Sequence, residues 1–289
     1  MKNPQNTINN IPCTCVLALM LATLSMGLQA EAQTVVLDTS NVVVGYHYSC
    51  NTKDAEGRAA IDEYDIALLI GKKIVAQKGF CELSLDEDDN DDYVRILTER
   101  QHHVPEIYIG FPDEDKVTIR ETVLMDDFEM VEKKGDVEWL ILSDTIQING
   151  HTCKKATANV RGRQWTAWFA EELPMPYGPW LLGGLPGLIL CAESDDIHKF
   201  HMTSLSAASY PIEYEKRIDI IRTSRKKFIK YRDGITNNPL YLTSLSSLIS
   251  PDIERHKNIY QFGNGIEFVE MKGHVFNPHP NVFIPLDLE

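Results

Sequence analysis

The sequence predicts a mainly β, β-rich α+β protein: a single domain built on a large curved antiparallel sheet, an incomplete barrel in outline, with one to three short helices. Three observations carry this expectation. Short runs rich in Val, Ile, Thr and aromatic residues recur along the chain, bounded by Gly, Pro, Asn and Asp. Several of those runs alternate apolar and polar residues, the period of a strand with one buried face. Helical patterns are few and short.

Taken in order, residues 34–50 read as a strand, with Val42-Val43-Val44-Gly45-Tyr46-His47-Tyr48 at its centre. Residues 62–81 read as a hairpin turning at Gly71-Lys72. An acidic insertion, Asp86-Glu87-Asp88-Asp89-Asn90-Asp91-Asp92, precedes a short helix over 93–99, where acids favour the positive helix end. Strands follow near 106–110, 116–123 and 137–142. A hairpin then spans 153–170, turning at Arg161-Gly162-Arg163, and strands follow over 188–192, 198–205 and 211–222. Residues 223–233 read as a helix capped by Thr223 or Ser224. Residues 238–262 are ambiguous and add a helix on one reading, and Asn277-Pro278-His279-Pro280 reads as extended.

The N-terminus has the three-part layout of a secretory signal. Lys2 is its one positive charge, an apolar run follows over 11–28, and Ala30-Glu31-Ala32 places small residues where a signal peptidase cuts. The run is short for a membrane span and is broken by Pro12, Thr14, Thr23 and Ser25. Cys13 and Cys15 lie at its start, not at its end where a lipid-anchor motif stands, so no lipid anchor is expected. The expectation is a cleaved signal over 1–32 and one domain over 33–289, placed in the periplasm, at the outer membrane or outside the cell.

Charge narrows the partners. The chain carries 28 basic and 42 acidic residues, a net of −14, and Lys2 and Glu31 in the signal cancel. Such a surface repels phosphate backbones, which argues against nucleic acid as a partner.

Outside the signal stand four cysteines, Cys50, Cys81, Cys153 and Cys191. An even count in an exported chain suggests disulfides, and four cysteines allow three connectivities. Each lies at the end or start of an expected strand, and the pairing anticipated is Cys50–Cys81 with Cys153–Cys191.

The most informative stretch is central. Ala156, Ala158 and Val160 alternate to one strand face, and Trp165, Ala167 and Phe169 to one face of its partner. A loop with Pro174, Pro176 and Pro179 follows, then Leu181-Leu182-Gly183-Gly184-Leu185-Pro186-Gly187-Leu188-Ile189-Leu190. Leu185-Pro186-Gly187-Leu188 fits a type II turn, with Pro186 presetting φ and Gly187 accepting positive φ. Gly183-Gly184 leaves room for another backbone or a ring, Trp180 being the candidate ring.

This stretch resembles the GLPGLI family, named for the residues that stand here as Gly184-Leu185-Pro186-Gly187-Leu188-Ile189. The preceding Gly178-Pro179-Trp180, the Arg161-Gly162-Arg163 turn and the Ala167-Trp168-Phe169 strand share the likeness, which is strong over roughly 150–192 and looser elsewhere. The resemblance implies an exported protein of an outer-membrane-bearing bacterium and supplies no catalytic residue. In layout the expected sheet also resembles periplasmic lipoprotein-carrier folds, where a curved sheet cups helices or a greasy ligand.

Trp168, Tyr177 and Trp180 are the candidate surface for an acyl chain, an apolar peptide or a membrane-protein partner, although core is the commoner place for such residues. Trp168 points away from Trp165 and is the better surface candidate. His198 and His201 with Asp195 or Asp196 are three apart on a strand, which sends the two rings to opposite faces and disfavours a metal site. His102-His103 and the pair His274 and His279 are no stronger. The 86–92 acidic run lacks the sixth-position glycine of a calcium loop: counting from Asp88, that position is Tyr93. No GxSxG, HExxH or phosphate loop is present.

No catalytic, cofactor or metal residue is assigned on these grounds. The leading expectation is an envelope accessory protein, leaning non-catalytic, that binds an apolar ligand, a peptide, a lipid or an outer-membrane or periplasmic protein. A secreted hydrolase or metal-dependent enzyme is the first alternative, and a structural subunit of an outer-membrane complex the second.

Overall fold

A computed structural model describes residues 33–54, 57–79, 105–123, 126–237, 258–261, 267–271, 274–276 and 284–288. A strand of 21 residues, β1 (Gln33–Lys53), organises the fold. Its second half lies between β2 (Ala59–Gly71) and β11 (His198–Ser206), and its first half pairs with β12 (Pro211–Lys216). From β2 the sheet runs outward through β3 (Val75–Gly79), β4 (Glu106–Ile109), β5 (Lys116–Val123) and β6 (Asp126–Lys133) to the short parallel β13 (Ile221–Arg222). From β11 it runs the other way through β10 (Leu188–Ser194), β9 (Arg163–Ala170) and β8 (His151–Val160) to β7 (Leu140–Ile148). These 13 strands form one large open curved sheet, antiparallel apart from β13. A separate antiparallel trio comprises β14 (Asn258–Gln261), β15 (Glu267–Met271) and β16 (His274–Phe276). The one helix among the described residues is α1 (Arg225–Thr236).

The central strands are buried on both faces, and the two-residue period sorts their side chains between two cores. Val44, Tyr46, Ile66, Leu68 and Ile107 face the larger core with Trp165, Phe169 and Phe200. Val43, Ala67, Leu69, Ala76 and Tyr108 face a smaller core, which Ile212 and Tyr214 of β12 cover. Helix α1 seals the larger core beside β6, with the Phe228 and Phe128 ring centroids 5.3 Å apart. Ser224 holds the N-cap position in an extended conformation without a side-chain cap bond.

Several expectations need correction. Strand β6 lies between the strands expected at 116–123 and 137–142 and was not among them. Its acids have cations: Glu129, 4% exposed, accepts from Arg120 Nε (2.9 Å) and Arg222 Nε (3.1 Å), and Asp127 pairs with Arg217. Tyr214 also donates to Glu129 at 2.6 Å. The strand expected over 137–142 runs instead over 140–148, because Asn149 and Gly150, both at positive φ, form the tight hairpin turn into β8. The single strand expected over 211–222 is two, broken at 217–220. Part of the ambiguous 238–262 stretch, 258–261, is strand. The acidic run, the 93–99 helix, His102-His103, His279 and the Asn277–Pro280 tail lie outside the described residues.

The anticipated Cys153–Cys191 disulfide is absent: both are buried free thiols. Cys153 lies on β8 and Cys191 on β10, with β9 between them. Two strand spacings of about 4.8 Å exceed what a disulfide spans. Cys50 is likewise a buried free thiol, and Cys81 lies outside the described residues. Burial pushes the Cys50, Cys153 and Cys191 thiols up to about 11, which leaves them protonated and unreactive at neutral pH.

Candidate ligand cleft

The loop between β9 and β10 makes its own scaffold. Met175 N donates to Leu173 O (2.7 Å) and Tyr177 N to Met175 O (2.8 Å). These are γ-turns centred on Pro174 and Pro176, whose fixed φ matches the inverse form. Gly184 N closes back on Pro176 O (3.0 Å), and Ile189 N on Tyr177 O (3.1 Å). Side chains from distant strands then pin the loop. Gln77 of β3 accepts from Trp180 N at 2.6 Å, Tyr46 of β1 donates to Ile189 O at 2.8 Å, and Trp139 Nε1 donates to Gly183 O at 2.8 Å.

The glycines divide the work differently from expectation. Gly184 holds the positive φ, at +88°, and Gly187 does not. The type II turn with Gly187 in the left-handed region is therefore not what forms. Gly187 is required because a Cβ there would lie 2.1 Å from Ala170 O. Leu185, Leu188 and Ile189 are buried in the larger core, and Pro186 is exposed. Across Gly183 lies the Pro176 carbonyl, so backbone, not the Trp180 ring, makes the close approach there.

Beside this loop opens a cleft of about 570 Å³. Its apolar wall comes from Ile109 and Val117 of β4 and β5, Val160 of β8, and Leu181 and Leu182 of the loop. Tyr177 and the backbone of Gly183 and Gly184 complete that side. Lys134, Asp136, Asn159 and Arg161 supply the polar groups. Arg161 and Gly162, both at positive φ, form the tight β8–β9 turn, and Glu132 accepts from Arg161 Nη2 at 2.7 Å.

Of the three expected surface residues, Tyr177 alone lines the cleft. Trp180 is buried with its ring centroid 5.6 Å from that of Trp165. Trp168 is half-buried on β9 across from Lys155, whose ammonium lies 5.7 Å from the ring centroid. The polar lining from the β6–β7 loop and the β8–β9 turn was missed. The Arg161-Gly162 turn signal gave the hairpin but not what it faces.

A second polar cluster lies under α1. Residues 284–288 form a strap there. Arg163 donates to Pro285 O from Nε (3.0 Å) and Nη2 (2.7 Å), and His198 Nε2 donates to the same oxygen at 3.2 Å. Leu286 enters the larger core, and Asp287 accepts from both Arg225 and Arg232. His198 Nδ1 bonds Tyr48 Oη at 2.8 Å, so both ring nitrogens are engaged within the protein. His201, three residues on, is half-buried elsewhere. Among the described residues no group of three or more His, Cys, Asp or Glu side chains has metal-binding geometry.

Burial, and then the nearby Arg163 charge, lower the His198 pKa to about 4. Between pH 6.5 and 4 the unfolded chain gains a proton that folded His198 refuses, so stability falls as pH falls through that window. The expected slope is up to about 1.4 kcal/mol per pH unit from this residue. Glu121, whose pKa is raised by burial and by Asp287, acts oppositely, losing stability as pH rises above the ordinary carboxylate range. Urea melts of wild type and His198→Gln at several pH values isolate the histidine. The acid-side slope should flatten in the variant, and parallel curves would refute the assignment.

No protein-family model matches the chain, and no curated protein does. Two solved structures of PNGF-II are similar at TM-scores of 0.44 and 0.42, with 15% and 16% identity. They cover 68% and 67% of this chain and 33% and 32% of theirs, so the similarity spans about a third of PNGF-II. A DUF1329 family protein from Desulfovibrio piger ATCC 29098 is similar at a TM-score of 0.23 and 8% identity, over 66% of this chain and 90% of that one.

Proposed function

We propose that this is an exported envelope accessory protein, with residues 1–32 as a removed signal and 33–289 as one GLPGLI-like domain, that binds a small amphipathic ligand in the cleft beside the Gly184–Ile189 loop. The carrying observation is the cleft itself: about 570 Å³ with an aliphatic wall and a few polar groups, the make-up of a small-molecule site. Its polar groups suit binding better than hydrolysis. The described lining holds one carboxylate, Asp136, and no histidine, so it lacks the paired acid and base that hydrolytic chemistry uses.

Dansyl-undecanoate, a fluorescent amphiphile, tests the reading. The protein should bind it, with a blue-shifted emission. Leu181→Trp, which adds bulk at a half-exposed cleft position, should weaken binding at least about tenfold, the effect of surplus bulk in an apolar pocket, while Tm stays unchanged. Equal affinity in wild type and variant, or no binding by wild type, would count against the cleft as a ligand site.

A further inference from the structure

The charge of this protein is unevenly placed. Residues 217–232 hold seven of its 28 basic residues and one acid, Asp219, in a chain of net charge −14. Four of the seven point into the fold or along it: Arg217 pairs with Asp127, Arg222 with Glu129, and Arg225 and Arg232 with Asp287. The remaining three, Lys226, Lys227 and Lys230, are exposed on one flank of α1 and have no ion pair among the described residues. Two of them stand in the first turn, where the helix dipole disfavours cations, and that turn has no acid to offset them. Helix stability therefore does not account for them.

Exposed apolar side chains stand in the same segment of chain. Ile218 is 78% exposed, Ile221 42% and Tyr231 37%. Ile221 and Tyr231 are neighbours through Phe128: Ile221 is its ladder partner, and the Tyr231 ring centroid is 4.9 Å from that of Phe128. The nearby acids are engaged. Asp219 pairs with Arg217, Asp126 accepts from Tyr231 Oη, and Asp233 pairs with Arg232.

We infer that the 217–231 segment is a docking surface for an anionic lipid bilayer, with Lys226, Lys227 and Lys230 at the headgroups and Ile218 and Ile221 entering the interface. Long lysines beside isolated exposed aliphatics match an interfacial membrane contact. The opposite net charge does not prevent it, because salt screens charges beyond roughly 8–10 Å while the lysines act at contact. This inference stands on charge and exposure alone and does not rest on the cleft.

Vesicle co-sedimentation of the mature chain tests it, using phosphatidylcholine vesicles with and without phosphatidylglycerol at low and high salt. Binding should require phosphatidylglycerol and weaken with salt. The triple variant Lys226→Glu, Lys227→Glu, Lys230→Glu should bind at least about thirtyfold more weakly, since each lysine near an anionic surface contributes several-fold. Ile218→Asp should also lose binding, and both variants should keep the wild-type Tm. The inference is overturned by equal binding to both vesicle types, by undiminished binding of the triple variant, or by capture of poly-glutamate without any vesicle binding.

Discussion

Gly187→Ala should destabilise the protein by about 3–4 kcal/mol, the range of severe overpacking against backbone. The added Cβ would meet Ala170 O at 2.1 Å, Ala170 C at 2.6 Å and Glu171 Cα at 3.0 Å. None of these is the end of a flexible side chain. Ala170 O is already held, accepting from Leu173 N at 3.1 Å, and Ala170 is the ladder partner of Leu188. Relieving the clash means opening the β9–β10 pair at its first rung and lifting Leu188 and Ile189 out of the core. Gly184→Ala is the contrast. Open space surrounds that Cβ, so its cost is the positive φ alone, about 1 kcal/mol. Urea unfolding of both variants checks the order, and a larger loss at Gly184 than at Gly187 would reverse the account of the motif.

The strap supplies the second large effect. Asp287→Ala should cost about 3–5 kcal/mol, because it strips a buried carboxylate from arginines that stay buried. Arg232 is 2% exposed and Asp287 3%, so water does not replace the lost partner. Glu121 limits the loss. Asp287 helps hold its carboxyl protonated, and with Asp287 gone Glu121 ionises more readily beside Arg225 and Arg232. Replacing the pair together, Arg232→Met with Asp287→Leu, should recover much of the stability, since apolar residues of similar size often substitute for a buried ion pair. Thermal melts of the single and double variants decide the matter. A double variant no more stable than Asp287→Ala would mean that packing of the strap, or the Arg225 charge that also pairs with Asp287, sets the cost, and not the charge of Arg232.

The strand framework was largely legible from sequence. The alternation of Ala156, Ala158 and Val160 against Trp165, Ala167 and Phe169 places these residues in one core, as read. The Arg161-Gly162 turn falls where expected. Asn149-Gly150 is a hairpin signal of equal strength, and it sets the β7–β8 turn. Strand β6 was missed because charge masks its buried Phe128 and Met130. Two of the cations that make it tenable, Arg217 and Arg222, lie about ninety residues away, and the third, Arg120, stands on the neighbouring strand β5. The Cys153–Cys191 pairing fails because the two strands that carry these residues are separated by β9 in the sheet.

By itself the sequence determined most of the strands, the glycine-dependent corner and the oily face it feeds, because a two-residue period and backbone sterics act between near neighbours. Tertiary structure alone decided which glycine takes the positive φ and which avoids a carbonyl, and what pins the loop. Those outcomes depend on contacts such as Gln77 with Trp180 and Tyr46 with Ile189, 103 and 143 residues apart. It also decided that a cleft remains beside the corner, because an empty volume belongs to the arrangement of several strands and to no one segment of chain.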